Sequence, residues 1–271
     1  MMRLFRIPLL GMGLFFSVGF NLHANTVLAD NIRSSAIALR DKKSALSKST
    51  TIDLKELIAD PKKYDFFTFR PNLEKLILSG AADTQHISIL WYTIPNGSVG
   101  LHYHSMTESV YTIDGTQTDS KGVYPTGSLY FNPPESGHKI TNSTGFFILA
   151  YASPPDFSNT DKIKPYTPVQ INTADPNLEK NYKFTYSQAG VKVYDVPLDP
   201  KGGISSKIIK STSLIRYKYL GNYLLVLKGS CNINGKVFDK DMLVVAKTIE
   251  TQSYSLSATA GDSCLALGLS F

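Results

Sequence analysis

Four side chains that could bind one metal ion lie within a short stretch of the first half of the chain: His102, His104, Glu108 and His138. Imidazole nitrogens and carboxylate oxygens are donors that first-row transition metals accept. His102 and His104 are two residues apart, so both point to the same face of a strand, whereas on a helix they would diverge. Glu108 follows after room for a turn, and His138 must come from another strand. The sequence therefore predicts a metal centre built on a sheet.

The alternative is that each histidine is a hydrogen-bonded polar residue in or near the core. The chain has five histidines, and only His23 and His86 lie outside the cluster. Because no cysteine is near, a structural zinc site with four closed positions is disfavoured. The expected cofactor is one divalent transition metal, Fe, Mn, Ni, Co or Zn, with open positions on a six-coordinate ion.

The spacing around the first three donors follows a known motif, G-x5-H-x-H-x3-4-E-x6-G. His102, His104, Glu108 and Gly115 match it, and Gly97 lies one residue too close to His102. This pattern resembles the first motif of the cupin superfamily. The resemblance implies a β-barrel fold, and it assigns the two histidines and the glutamate as metal ligands.

The fourth donor lies in a stretch similar to the second cupin motif, G-x5-P-x-G-x2-H-x3-N. Gly127, Pro133, His138 and Asn142 match, while Glu135 stands where the motif has glycine. A glycine there relaxes a tight turn, so its replacement affects the predicted loop shape more than the metal. The resemblance covers residues 85–155. It leaves the reaction open, because cupins include dioxygenases, isomerases, decarboxylases, storage proteins and sugar-binding domains.

The second half of the chain repeats the alternation of apolar and polar residues with a shift of 114, which places Gly115 on Gly229. The same shift replaces the four donors with Arg216, Lys218, Asn222 and Gln252. Two of these are cations, which would repel a metal dication. The second half is therefore predicted to be a barrel without metal. It is either a structural partner of the first barrel or an anion site, with Arg216 and Lys218 pointing inwards.

The predicted fold class is all-β, with two tandem cupin (jelly-roll) barrels and a short amino-terminal helical segment. The helix is indicated by the stripe of Leu54, Leu57 and Ile58, with Asp53 as its cap. The predicted parts are a signal peptide at 1–29, a tail with the helix at 30–65, the metal-binding cupin domain at 66–155, a linker with little regular structure at 156–189, and a degenerate cupin domain at 190–271.

Cys231 and Cys264 are the only cysteines. In a cupin sheet the strand after Gly229 and the last strand of the domain are neighbours. A secreted chain with two cysteines is expected to oxidise them. The resemblance therefore implies a structural disulfide, and two buried thiols are the alternative.

The chain begins with Arg3 and Arg6 beside a short apolar run, which is typical of a secretory signal peptide. Cleavage after Ala24 or Ala29 predicts a periplasmic or secreted protein with no membrane attachment afterwards; an uncleaved anchor is the rival interpretation. The formal net charge is +6. Because the basic residues are scattered, no nucleic-acid partner is predicted. The expected partner is a small molecule, and the sequence leaves a homo-oligomer open.

The inner faces of the predicted strands suggest the kind of chemistry. If Val110 and Thr112, with Leu129 and Phe131 on another strand, face inwards, the pocket is apolar and has few proton-transfer groups. We then expect an organic substrate handled by the metal itself, as in an oxygenase-like (dioxygenase-like) enzyme. A metal-dependent lyase or isomerase and a non-catalytic binding or sensing cupin remain alternatives.

Overall fold

The computed structural model describes residues 48–271, so the predicted signal peptide and its cleavage sites lie outside the described residues. The strands of the first part are β1 Ser49–Asp53, β2 Phe67–Arg70, β3 Leu73–Gly80, β4 His86–His104, β5 Glu108–Asp119, β6 Val123–Pro125, β7 Ser128–Asn132, β8 Ser136–Tyr151 and β9 Val169–Asn172. The strands of the second part are β10 Thr185–Gln188, β11 Val191–Asp195, β12 Ser205–Ser211, β13 Tyr217–Gly221, β14 Tyr223–Ile233, β15 Lys236–Asp239, β16 Met242–Ala246, β17 Gln252–Ala258 and β18 Cys264–Ser270.

Helix is confined to short segments: α1 Leu54–Ala59, α2 Leu178–Asn181 and single 3-10 turns at Pro61–Lys63, Thr160–Lys162 and Pro200–Gly202. Within residues 48–271 no helix has the length and apolar character of a membrane span. The prediction of an all-β fold is confirmed.

The strands form two antiparallel sheets. One has the order β2-β3-β4-β8-β5-β7-β9, with β6 paired to β5, and we call it the first barrel. The other has the order β1-β16-β14-β18-β12-β11-β10, with β13, β15 and β17 attached, and we call it the second barrel. The long, bent strands β4, β5 and β8 run through the first barrel and bring distant parts of the sequence side by side.

Apolar side chains form three clusters, one inside each barrel and one between the barrels. The cluster inside the first barrel includes Tyr92, Tyr130 and Phe147. The cluster between the barrels takes residues from both halves, such as Phe131 and Leu243. Each barrel therefore buries one outer face against the other, and strands at this contact are buried on both faces.

This contact corrects one expectation about the inner faces. Leu129 and Phe131 belong to the cluster between the barrels, and Tyr130 points into the first barrel. All residues of β7 are buried, so its apolar pattern carries no sign of which face is the interior. Val110 does face inwards, as expected.

The segments outside the predicted barrels add strands to both sheets. In the tail, β1 pairs with β16 of the second barrel, and Asp53 caps α1 by accepting from the backbone N–H groups of Lys55 and Glu56. In the predicted linker, β9 pairs with β7 and β10 pairs with β11. These pairings satisfy edge backbone groups that would otherwise lack partners.

Candidate metal centre

The four predicted ligands converge inside the first barrel. His102 and His104 lie at the end of β4 on one face, Glu108 begins β5, and His138 lies on β8 directly opposite His102. Each of the four side chains is at most 3% exposed. One nitrogen or oxygen atom of each lies within 4.8 Å of the others. Residues separated by 36 positions in the chain thus share one small volume because β4 and β8 are paired.

Hydrogen bonds fix which nitrogen of two imidazoles faces the cluster. His102 Nδ1 lies 2.8 Å from the carbonyl oxygen of Gly100, and His138 Nδ1 lies 2.7 Å from Asp119 Oδ2. Since each Nδ1–H donates to an oxygen, the neutral form of each ring has its free lone pair on Nε2. Neither ring nitrogen of His104 has a hydrogen-bond partner, although the ring is fully buried.

These residues fit a divalent cation. Glu108 Oε2 lies 3.4 Å from His104 Nε2 and 3.3 Å from His138 Nε2. Donors about 2.0–2.2 Å from a common ion lie roughly 3–4 Å apart, so the carboxylate and both imidazoles have the spacing of a coordination sphere. A buried imidazole nitrogen without a partner is costly, and a metal ion would satisfy it.

Protonation of the site follows from its burial and its charges. Burial lowers the pKa of His104 to about 3, and burial together with the nearby His138 lowers the pKa of His102 to about 4. Burial would also lower the pKa of His138, but the hydrogen bond to Asp119 and the nearby Glu108 carboxylate outweigh burial and raise the pKa to about 9. Burial alone raises the pKa of Glu108, yet the surrounding imidazoles, His104 foremost, hold it well below its usual range. The metal-free site therefore keeps one proton on His138, which a metal must displace.

Asp119 is a residue of the candidate site that the sequence did not predict. Its Oδ2 accepts from His138 Nδ1, and its Oδ1 accepts from the backbone N–H groups of Lys121 and Gly122 and from the Tyr124 hydroxyl. A carboxylate behind a metal-binding histidine orients the ring and increases its basicity. Asp119 is therefore a positioning residue for His138.

Replacing Asp119 with asparagine should weaken metal binding about ten- to a hundredfold, because an amide cannot accept from all four of these donors. Competition with a chelator measures this affinity. Asp114→Asn, at an exposed position of the same strand, is the matched control. Equal affinities for the two variants would show that Asp119 does not support the metal site.

The loop before His138 keeps its shape without the motif's glycine. Glu135 adopts φ 64°, in the left-handed region that favours glycine. Its backbone N–H donates to the His104 carbonyl, and its carboxylate pairs with Lys164 at 2.7 Å. These contacts hold the turn in place, so the substitution leaves His138 in line with the other donors.

A second pair of buried polar groups lies behind the metal centre. Lys75 is 1% exposed, and its Nζ lies 3.4 Å from His86 Nε2 and 3.8 Å from the centre of the Phe69 ring. His86 Nδ1 donates to the Thr84 carbonyl, so Nε2 accepts from the lysine ammonium. Burial lowers the pKa of Lys75 to about 8, although the negative Glu108 opposes this shift.

The lowered pKa of Lys75 makes a prediction about stability. Between about pH 8 and about pH 10 the unfolded chain keeps the proton that the folded chain has lost, so the free energy of unfolding rises with pH. Relative to a Lys75→Met variant, the metal-free wild type should gain on the order of 2 kcal/mol across this range. Urea denaturation of both proteins at several pH values tests this, and a difference that stays constant with pH would contradict it.

The pocket beside the metal ligands is small and largely aromatic. It has a volume of about 30 Å³ and is lined by His102, Glu108 and His138 together with Tyr92, Tyr151 and Phe157 among others. This is room for about two water molecules. A larger cavity of about 550 Å³ lies between the barrels, but it contains none of the four donors. Its Lys210 is paired with Glu179, so we place the chemistry at the smaller pocket.

The second barrel has no equivalent of the metal centre among the described residues. Its Tyr217 pairs with Leu256 as His102 pairs with His138, and Tyr219 is buried inside it. The alternative of an anion site with Arg216 and Lys218 pointing inwards is wrong, because both side chains are exposed. The register differs by one residue from the 114 shift, and this turns both cations to solvent, where their charges cost little.

Cys231 and Cys264 are joined by a disulfide with a Cα–Cα distance of 4.9 Å. Both residues are fully buried in the interior cluster of the second barrel, on the paired strands β14 and β18. The bond lies in the sheet of the second barrel, whereas the four predicted ligands lie in the other sheet, so we assign it a structural role.

Comparison with known proteins agrees with this architecture. Residues 54–154 match the family described as ChrR Cupin-like domain. This stretch, which contains the four donors, is therefore a cupin-like domain. The chain is similar in fold to a proposed dioxygenase from Nostoc punctiforme, with 9% identity, 82% of each chain covered and a TM-score of 0.52. No curated protein matches the sequence.

Two further solved structures align at lower scores. Salicylate 1,2-dioxygenase from Pseudoaminobacter salicylatoxidans covers 81% of each chain at 13% identity and a TM-score of 0.46. A variant of Bacillus subtilis oxalate decarboxylase covers 81% of this chain and 76% of its own, at 11% identity and a TM-score of 0.44. At such identities and scores these two alignments transfer no reaction to this chain.

Proposed function

We propose that this cupin is a metal-dependent enzyme with dioxygenase-like activity on a small organic molecule. The observation that carries the proposal is the convergence of three buried imidazoles and one carboxylate beside a pocket. A redox-active metal bound there would supply Lewis acidity and access to dioxygen. The protein's own contribution is to hold the donors, to exclude water with aromatic side chains, and to keep His138 in one tautomer through Asp119.

The groups that line the pocket favour this chemistry over a proton-transfer reaction. Besides the metal ligands, its titratable residues are Tyr92 and Tyr151. Burial raises the pKa of Tyr92 and lifts that of Tyr151 well above the ordinary value, so neither is a base at neutral pH. A lyase or isomerase that moves protons needs an acid and a base near the substrate.

Oxygen consumption tests the proposed activity. Protein loaded with iron or manganese is supplied with a panel of phenolic and diketone substrates in an oxygen-electrode cell. We expect uptake with at least one substrate, and no uptake with zinc-loaded protein or with a His104→Ala variant. A panel that gives no uptake at full metal occupancy would count against an oxygenase.

The pocket volume favours a second candidate, a cupin that binds or senses a small ligand without catalysis. A space of about 30 Å³ is far below the several hundred Å³ of typical substrate pockets. Ligand binding without any turnover of the ligand would support this candidate.

We also propose that the protein is exported to the periplasm or secreted. The apolar run after Arg3 and Arg6 supports this, as does the disulfide, since such bonds persist in oxidising compartments. Mass spectrometry of the protein released by osmotic shock should find an amino terminus at Asn25 or Asp30. An intact amino terminus in the cytosolic fraction would contradict export.

A further inference from the structure

Two cations without an acidic partner lie around the metal pocket. Neither Arg70 nor Lys75 takes part in any salt bridge of residues 48–271. Arg70 Nε is buried and has no hydrogen-bond partner. Lys75 has only the neutral His86 and aromatic faces around its ammonium group. Buried charges are normally paired, so the fully buried Lys75 and the buried Nε of the half-buried Arg70 need an explanation.

One aromatic ring lies between each cation and a predicted metal ligand, and the ring is a different one for each cation. The guanidinium of Arg70 lies 4.2 Å from the centre of the Phe157 ring, and that ring lies 5.2 Å from the His102 ring. Lys75 Nζ lies 5.5 Å from the Tyr151 ring, which lies 6.3 Å from the His104 ring. A bulge in β2 at Phe69 interrupts the alternation of side chains, so the consecutive residues Phe69 and Arg70 point towards the same region.

Metal binding leaves an excess of positive charge around the pocket. Glu108 and Asp119 provide two negative charges, and Arg70 and Lys75 provide two positive ones. With the histidines neutral as ligands, a divalent ion adds two uncompensated positive charges to a buried region. Such an excess is relieved by binding an anion or by hydroxide.

We propose that the metal pocket selects a small carboxylate ligand, with Arg70 and Lys75 as the residues that determine this preference. This inference rests on the proposed metal centre and names the chemical class of its ligand. The carboxylate would bind beside His102 and Glu108, where the field of both cations adds to that of the metal. Without a rearrangement of its lining residues, the pocket has room only for a molecule about the size of acetate.

The test compares acetate with acetamide, which has nearly the same shape and no charge. The full chain is loaded with Co²⁺, and the visible cobalt spectrum is followed while either probe is added at constant ionic strength. We expect acetate to bind at least about tenfold more tightly than acetamide. Arg70→Gln and Lys75→Met should each weaken acetate binding by roughly tenfold, because each removes one unit of positive charge that lies one aromatic ring away from the predicted ligands.

Lys139→Gln is the matched control, because Lys139 follows His138 in sequence but is exposed on the outer face of β8. It should leave both probes unchanged. Acetate binding that is equal to acetamide binding, or that is insensitive to Arg70→Gln and Lys75→Met, would overturn the inference while leaving the metal centre intact. Failure of the wild type to bind Co²⁺ would overturn both. Charge-dependent acetate binding, together with no oxygen uptake by the iron- or manganese-loaded protein on the substrate panel, would refute only the oxygenase.

Discussion

A His104→Ala variant should purify with almost no bound metal, whereas the wild type should carry about one ion per chain. His104 is the donor with the fewest other roles, since neither of its ring nitrogens has a hydrogen-bond partner. Without the His104 imidazole, the metal loses the nitrogen donor that lies beside Glu108 and His138. Loss of a residue that only hydrogen-bonds to a ligand weakens metal binding by up to about a hundredfold. Loss of the ligand His104 itself should weaken metal binding by more than this factor.

The same variant should lose the stability that metal confers. A ligand present at about a hundred times its Kd adds roughly 2.7 kcal/mol to the free energy of unfolding. Elemental analysis and melting temperatures with and without metal measure both effects. His86→Ala is the control. Among residues 48–271, His86 is the one histidine outside the predicted ligands, and it is as buried as His104. It should lower stability through the lost Lys75 contact and retain the ion. The centre would be wrongly assigned if His104→Ala kept a full complement of metal, or if both variants lost it equally.

The part of the site that could be predicted rests on local strand geometry. His102 and His104 share a face because side chains alternate along any strand, whatever the fold around it. Their pairing with His138 follows from the cupin resemblance, which supplies the strand order. Prediction and structure agree at these three histidines. Neither the alternation along a strand nor the cupin resemblance depends on knowing which face of the strand is buried.

Asp119 escaped prediction because bulges interrupt the alternation along β5. Glu108, Val110 and Thr112 point inwards, but the register shifts between Thr112 and Asp114 and again beside Asp119. Counting by twos from Glu108 therefore places Asp119 on the wrong face. Only the pairing with β8 reveals that it meets His138.

The second barrel shows the same limit for a whole strand. A uniform shift of 114 turned Arg216 and Lys218 inwards, while the actual register turns Tyr217 and Tyr219 inwards. One residue of offset exchanges every side chain between core and solvent. Because the identity between the two halves is low, their alignment did not fix the register of this strand. The free-energy cost of burying two cations was the better guide to which of its residues face the interior.

The covalent link in the second barrel leads to the other large expected effect. A Cys231→Ala/Cys264→Ala variant should be less stable than the wild type by about 3–4 kcal/mol. The chain-entropy model gives this value, since the bond closes a loop with a sequence separation of 33 residues. Both side chains are fully buried, and alanine in their place also leaves a small void.

Urea denaturation of the variant, compared with the wild type in oxidising and in reducing buffer, measures this loss. The reduced wild type and the variant should unfold at similar denaturant concentrations, well below the oxidised wild type. The metal content should stay at one ion per chain, because the four donors lie on β4, β5 and β8 of the first barrel and both cysteines lie in the second barrel. Coincident unfolding curves for all three samples would show that the disulfide adds nothing to stability. A loss of metal together with the disulfide would mean instead that the barrels stabilise each other across the cluster that contains Phe131 and Leu243, so that loosening the second barrel displaces β5 and β7 in the first.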